Sequence, residues 1–220
     1  MNQNYKYAVL TGDLIKSSKM SNEQRQETLS TISQLALRCP DIFPDLGITG
    51  PEMFRGDSWQ LLLSQPEYAL HVAAIIRAGL KSRNLLDTRI GIGIGNAEML
   101  GNDLGQSDGA VFRLSGKALD EMKRSDTLAC KFEHLTVFRE TTELLLNSSL
   151  KFAARFMEDW SHLEAFAISR ALEGKTHQQI AGEWPGGKTS QQNVTSALRR
   201  GGWPLLNNLL SVFNVTITIK

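Results

Sequence analysis

Cysteine is nearly absent: Cys39 and Cys130 are the only two in 220 residues. That is too few for a disulfide framework, and neither lies in a C-x-x-C spacing. Both read as buried or semi-buried free thiols in a reducing compartment. The four histidines, His71, His134, His162 and His177, are scattered, with no H-x-x-x-H or His/Cys spacing. A zinc site is therefore not expected. No Walker loop or G-x-G-x-x-G fingerprint is present. No apolar run is long enough to cross a bilayer, and Met1-Asn2-Gln3-Asn4-Tyr5-Lys6 has no apolar leader region. These absences predict a cytoplasmic protein without membrane contact.

Excess charge of one sign is also missing, at 24 Lys and Arg against 23 Asp and Glu. The near-neutral sum hides an asymmetry. Residues 1–159 hold 18 basic against 20 acidic side chains, a net of −2, and residues 160–220 hold 6 against 3, a net of +3. A basic C-terminal part agrees with a polyanionic partner there. Hydrophobic residues make up 41% of the chain, which supplies a core and argues against disorder.

The apolar pattern changes period along the chain. Tyr7 to Thr11 reads as a buried strand that stops at Gly12-Asp13. Ser21 and Gln24 have capping-box spacing ahead of a helix carrying Leu29, Ile32, Leu35 and Leu37, and Cys39-Pro40 ends it. Residues 41–52 read as a loop. Met53-Phe54-Arg55 and Ser58 to Leu63 flank a Gly56-Asp57 tip, as in a β-hairpin. Glu67 to Lys81 is an amphipathic helix, Thr88 to Gly95 an alternating strand, Gly101 to Gly109 a loop, Ala110 to Lys123 a helix, and Thr127 to Phe132 a strand.

This β-α-β-β-α-β-α-β order predicts an α+β fold: a ferredoxin-like antiparallel sheet with helices on one face, over residues 1–145. Glu140 to Arg155 reads as a helix that packs on this domain or links it to the next. From Asp159 the pattern is helical only, with helices over 160–172, 177–184, 191–200 and 204–211, which predicts a small all-α domain over 155–212. Residues 213–220 alternate and read as a strand-like tail.

Two Gly-Asp pairs, Gly12-Asp13 and Gly56-Asp57, end elements that a split βαβ sheet sets side by side. Two carboxylates at one edge suit Mg²⁺, which takes oxygen ligands and bridges phosphates. The adjoining glycines allow close approach of a nucleotide. Gly-Asp also simply makes tight turns. Gly91, Gly93 and Gly95 leave one strand face bare for a helix, a loop or a ligand.

Leu10-Thr11-Gly12-Asp13-Leu14, Arg55-Gly56-Asp57-Ser58, Arg89 to Gly95 and Ser107-Asp108-Gly109-Ala110 occur in the order seen in SatD-like bacterial proteins, and the chain resembles that family over most of its length. The resemblance implies a nucleotidyl-cyclase or GGDEF-type fold followed by a helix-turn-helix. It implies Asp13 and Asp57 as metal ligands, and Gly12, Gly56, Ser58, Asp108, Arg113 and Lys117 as nucleotide contacts. Where cyclases carry Val-Asn-x-x-x-Arg, this chain has Val111-Phe112-Arg113-Leu114-Ser115-Gly116. Phe112 stands for the asparagine and Gly116 for the arginine, so a donor for developing phosphate charge is out of register.

Glu173 to Ala181 resembles the start of a sigma-region-4 or response-regulator helix-turn-helix, with Thr176 as N-cap and Trp184-Pro185-Gly186-Gly187-Lys188 as a longer turn. In the next helix Val194, Ala197 and Leu198 face inward. Thr176, Gln178, Ser190, Gln191, Gln192, Asn193, Thr195 and Ser196 are placed for base edges or phosphates, and Arg199 and Arg200 for phosphates. A helical dimerisation bundle is the alternative. The expectation is a DNA-binding regulator, a homodimer, whose cyclase-like domain senses a nucleotide with Mg²⁺. The alternatives are a metal-dependent nucleotidyl cyclase or nucleotidyltransferase, and a protein-interaction adaptor.

Overall fold

Apolar alternation and helix caps build fourteen main elements from the described residues, which in this computed structural model are 6–54, 56–98, 104–133 and 137–218, with the backbone alone described for 137–139. They are β1 (Tyr7–Leu14), α1 (Asn22–Leu37), α2 (Cys39–Ile42), β2 (Ile48–Phe54), β3 (Ser58–Leu63), α3 (Ala69–Lys81), β4 (Thr88–Gly95), α4 (Ala110–Asp120), β5 (Leu128–Phe132), α5 (Val137–Asp159), α6 (His162–Leu172), α7 (His177–Gly182), α8 (Gln191–Arg200) and α9 (Trp203–Thr218). The fold is α+β. Arg55, Gly101, Asn102, Asp103, His134 and Ile219, which enter the sequence expectations, lie outside the described residues.

The five strands order as β2-β3-β1-β4-β5. β1 pairs antiparallel with β3 and β4, and β3 antiparallel with β2. β5 runs parallel to β4, so the sheet is mixed and not the purely antiparallel one expected. The reason is α4, which returns the chain from the end of β4 to the start of β5, a crossover that parallel neighbours require.

Alternation along the strands fixes two faces. Ala8, Leu10, Trp59, Leu61, Leu63, Ile90, Ile92 and Ile94 are buried in the main core together with α1 and α3. Val9 and Leu62 point the other way and cluster with Val111 of α4. Helices therefore cover both faces, where one was expected. Gly91 and Gly93 make this possible: a Cβ there would strike the carbonyl oxygens of Ser115 and Val111 respectively. Of the partners the bare face allowed, it is a helix that approaches.

β5 would leave an open edge. Asn147 of α5 closes it by donating to the Cys130 carbonyl (2.9 Å) and accepting from the Cys130 N–H (2.8 Å). Glu143 accepts from the Phe132 N–H at 2.9 Å. Side chains thus satisfy backbone groups that a further strand would otherwise take.

Three boundaries differ from the pattern-based expectation. α1 ends at Leu37, ahead of Cys39-Pro40 as expected, but a short α2 follows that reaches into the expected loop, with Pro40 in its first turn, where its missing N–H costs no bond. β2 begins at Ile48, inside the expected loop, with a register shift between Thr49 and Glu52 around Gly50-Pro51 on the edge strand. Such a position tolerates proline, since no ladder donor is lost. The tail is helical: α9 runs to Thr218 without a strand.

The break expected between residues 145 and 155 falls inside α5. One hydrophobic cluster runs from the sheet through Ile76 of α3 to Ile168, Val194, Leu210 and Phe213, and α3 packs directly on α6. Arg77, fully buried, donates to Asp87 at 2.9 and 2.6 Å and to the Met157 sulfur at 3.3 Å. Burial pushes the Asp87 carboxyl up, but the Arg77 charge and hydrogen bonds, with Lys81 and the Thr88 N–H, outweigh it and hold the pKa below the usual range. Lys81 also donates to the Glu158 carbonyl at 3.0 Å, tying the end of α5 to α3.

Candidate functional site

Three places hold the sequence-derived site residues. The first is the sheet edge where β1 ends. Asp13 pairs in register with Ser58 on one side and Arg89 on the other, and the Leu14 N–H donates to the Asp57 carbonyl at 3.0 Å. The two Gly-Asp turns are thus neighbours. Their carboxylates are already engaged. Asp13 accepts from Arg89 through both oxygens, Nε at 2.9 Å and Nη2. The Asp13 hydrogen bond, followed by the charges of Asp13 and Asp120, pushes the Arg89 pKa up despite partial burial. Asp57 accepts from the Ser17 hydroxyl at 2.6 Å and from Ser58 at 3.4 Å.

A guanidinium clamped on Asp13 occupies both of its oxygens and repels a second cation, so the edge fits a divalent ion only when Arg89 is displaced. Among the described residues, no group of three or more His, Cys, Asp or Glu side chains gathers as a metal set.

Gly12 has a different task from the expected phosphate contact. A Cβ there would strike the Trp59 ring, so the glycine makes room for a buried indole whose Nε1 donates to Thr88 Oγ1 at 3.0 Å. Gly56 is the turn residue, with φ 80° and open space where a side chain would stand.

The second place is the start of α4, at the opposite end of the sheet. β4 runs antiparallel to β1, so Gly95 pairs with Tyr7, and the loop after it leads to α4. Six residues of β1 separate that end from Asp13, about 20 Å at ~3.3 Å per residue. Arg113 there bridges Asp108 at 3.0 Å and Glu98 at 2.9 Å, all three exposed. Lys117, one turn on, lies 3.7 Å from Glu121 on the solvent face. Asp108 and Arg113 therefore do not join Gly56 and Ser58 in one nucleotide site.

The third place is α8. Ser190 Oγ accepts from the Asn193 N–H at 3.2 Å, capping it, and Thr176 with Gln179 forms a capping box on α7. Val194, Ala197 and Leu198 are buried. Ile180 and Ala181 of α7 are buried beneath them. The long turn is held by Trp184, which packs edge-on against Phe166 with centroids 5.8 Å apart, and by the Thr189 N–H donating to the Ala181 carbonyl at 3.1 Å.

Several expected DNA contacts have structural duties. Asn193 Nδ2 donates to Thr189 at 2.9 Å, Thr195 bonds the His177 ring at 3.0 Å and the Gln191 carbonyl at 2.9 Å, and Arg200 Nε donates to Glu164 at 2.9 Å. The side chains of Gln178, Gln191, Gln192, Ser196 and Arg199 carry no such bond among the described residues. Gln191, Gln192, Thr195, Ser196 and Arg199 line one shallow concavity of about 340 Å³.

Ser17 is not legible as a site residue, because nothing in Ser17-Ser18 marks a partner for a turn forty residues away. Arg89 is legible only as part of a motif. Its pairing with Asp13 follows from the register.

No family model matches the chain, and no curated protein matches it. Among the described residues, no helix is long and apolar enough to cross a membrane.

Proposed function

We propose that the chain is a DNA-binding regulator in which α7 and α8 act as a helix-turn-helix and α8 enters the major groove. One observation carries this reading: α8 buries Val194, Ala197 and Leu198 while turning Gln191, Gln192, Ser196 and Arg199 outward without partners among the described residues. Glutamine amides suit base edges, and an unpaired arginine suits a phosphate or a guanine. The net charge of +3 over residues 160–220 has the right sign.

The test is selection from a random duplex library, followed by fluorescence anisotropy over a salt series. Arg199→Ala weakens binding across sequences and lowers the salt slope by about 1 if it meets a phosphate. Gln192→Ala costs about 1–3 kcal/mol and relaxes preference at one base pair. If no duplex binds at any salt, the proposal fails.

A second reading, nucleotide sensing at the β1 end, is favoured by the meeting of Asp13 and Asp57 at one sheet edge. The strand order β4-β1-β3-β2, with antiparallel neighbours, agrees with a ferredoxin-like, cyclase-type domain and with the SatD-like resemblance. In this reading Mg²⁺ with a nucleotide displaces Arg89 from Asp13, and Asp57 supplies the other carboxylate. The reading is one of binding: the cyclase's asparagine and arginine are missing from α4, and Arg113 serves Asp108 and Glu98.

A further inference from the structure

α5 and α9 lie side by side and leave a groove of about 300 Å³ between them. Its floor includes Met157, Trp160 and the Gly201-Gly202 turn that follows α8, and none of its lining side chains is charged. On one wall Ser149, Phe152 and Phe156 repeat at i, i+3 and i+7 along α5, and Leu145, one turn before Ser149, continues their line beyond the groove. On the other, Leu205, Leu209 and Val212 repeat at i, i+4 and i+7 along α9. These are the spacings of a stripe that packs against another helix. Yet Leu145, Phe152, Leu205 and Val212 are 63%, 74%, 62% and 47% exposed, and Phe156 45%.

We propose that this face is the homodimer interface, its occupant a second copy of the chain related by a two-fold axis. Three features select a second copy. A two-fold interface sets a patch against itself, so it must offer both a projection and a recess. Here Phe152 projects beside a groove large enough to receive a phenyl ring. The patch carries no charge, so it meets its own copy without repulsion. The five side chains bare on the order of 600 Å² of apolar surface, most of the ~800 Å² per partner in a standard interface. The proposal also rests on the DNA-binding reading in one respect: the groove adjoins the C-terminal end of α8, so a two-fold there fixes the spacing of two recognition helices, as a palindromic operator needs.

Sedimentation equilibrium of the full chain tests it. Wild type sediments at twice 24.4 kDa at micromolar concentration. Phe152→Glu and Leu205→Glu, each at an exposed position, raise the dimer dissociation constant at least a hundredfold and leave the far-ultraviolet circular dichroism spectrum at 25 °C unchanged. Leu37→Glu, at an exposed apolar side chain on α1, remains dimeric. A monomeric wild type overturns the proposal, as does a dimer that both groove variants leave intact. A monomer whose groove takes up an apolar dye assigns the groove to a small molecule instead. The two failures are distinguishable: a monomer that binds a half-site duplex sinks the interface alone, and a groove-dependent dimer that binds no duplex sinks the DNA reading alone.

Discussion

At the end of β1, Asp13 meets a guanidinium where a metal-binding loop would meet solvent. Arg89, its register partner on β4, takes both carboxylate oxygens. The position of Asp13 beside Asp57 is legible from two Gly-Asp turns and a split βαβ order. The occupancy of its carboxylate is not, because it depends on which β4 residue lands opposite. Removing the guanidinium isolates the question. By calorimetry, Arg89→Ala binds Mn²⁺ at least tenfold more tightly than wild type, equal to about 1.4 kcal/mol. Asp13→Asn in that background abolishes the gain. Equal affinities for wild type and Arg89→Ala would remove the cation from this edge. On α3, His71 stacks edge-on against Phe43, with centroids 4.9 Å apart, and burial pushes its pKa down to about 4. The unfolded chain takes up a proton near pH 6.5, whereas the folded chain resists until about 4. The stability this contributes is whole above pH 6.5 and is lost as pH falls from there to about 4, by up to roughly 3 kcal/mol. Urea midpoints measured across that window fall less in His71→Leu than in wild type.

Helix starts are the elements best read from the chain. Ser21, Thr176 and Ser190 stand at cap spacing in the sequence, and each side chain accepts the expected backbone N–H. Ser190 caps the helix that presents Gln191 and Gln192, so its loss frays the surface proposed to meet DNA. Ser190→Ala costs about 1 kcal/mol of stability in chemical denaturation. It also weakens duplex binding more than that loss alone, since frayed residues must be reordered on binding. A cost within about ±0.2 kcal/mol of zero would show the cap to be idle, against the usual worth of such caps. The tail of α9 misleads for a physical reason. Val212 to Ile219 alternates like a strand, and its β-branched residues favour one. An overlapping stretch carries a second period: Leu206, Leu210, Phe213 and Ile217 fall at i, i+4, i+7 and i+11, the first three buried in the core and Ile217 packed against it. Tertiary burial of that stripe decides between the two periods, and Thr216 and Thr218 lend hydroxyl bonds back to Val212 and Asn214. β2 is hidden by Gly50 and Pro51, turn residues that an edge strand with a shifted register absorbs.

Across the whole molecule, the change from strand-and-helix pattern to helices marks a change of architecture but not a break in packing. α3 serves both parts, with its sheet-facing residues in the same cluster as Ile168 and Phe213, and Arg77 fastens Asp87 and Met157 from within. The helical module is thereby held on the sheet through α3, and α8 keeps its polar face outward. If DNA binds the chain, that face of α8 is where it lands. Titrating ¹⁵N-labelled protein with a short duplex at low salt and mapping the amide shifts asks this without intermediaries. Shifts concentrate at Thr176 to Gln178 and Gln191 to Arg199, while Asp13, Asp57 and Arg89 stay unmoved. Shifts confined to the β1 edge or to the start of α4, or none at any ratio, would contradict DNA binding through α8.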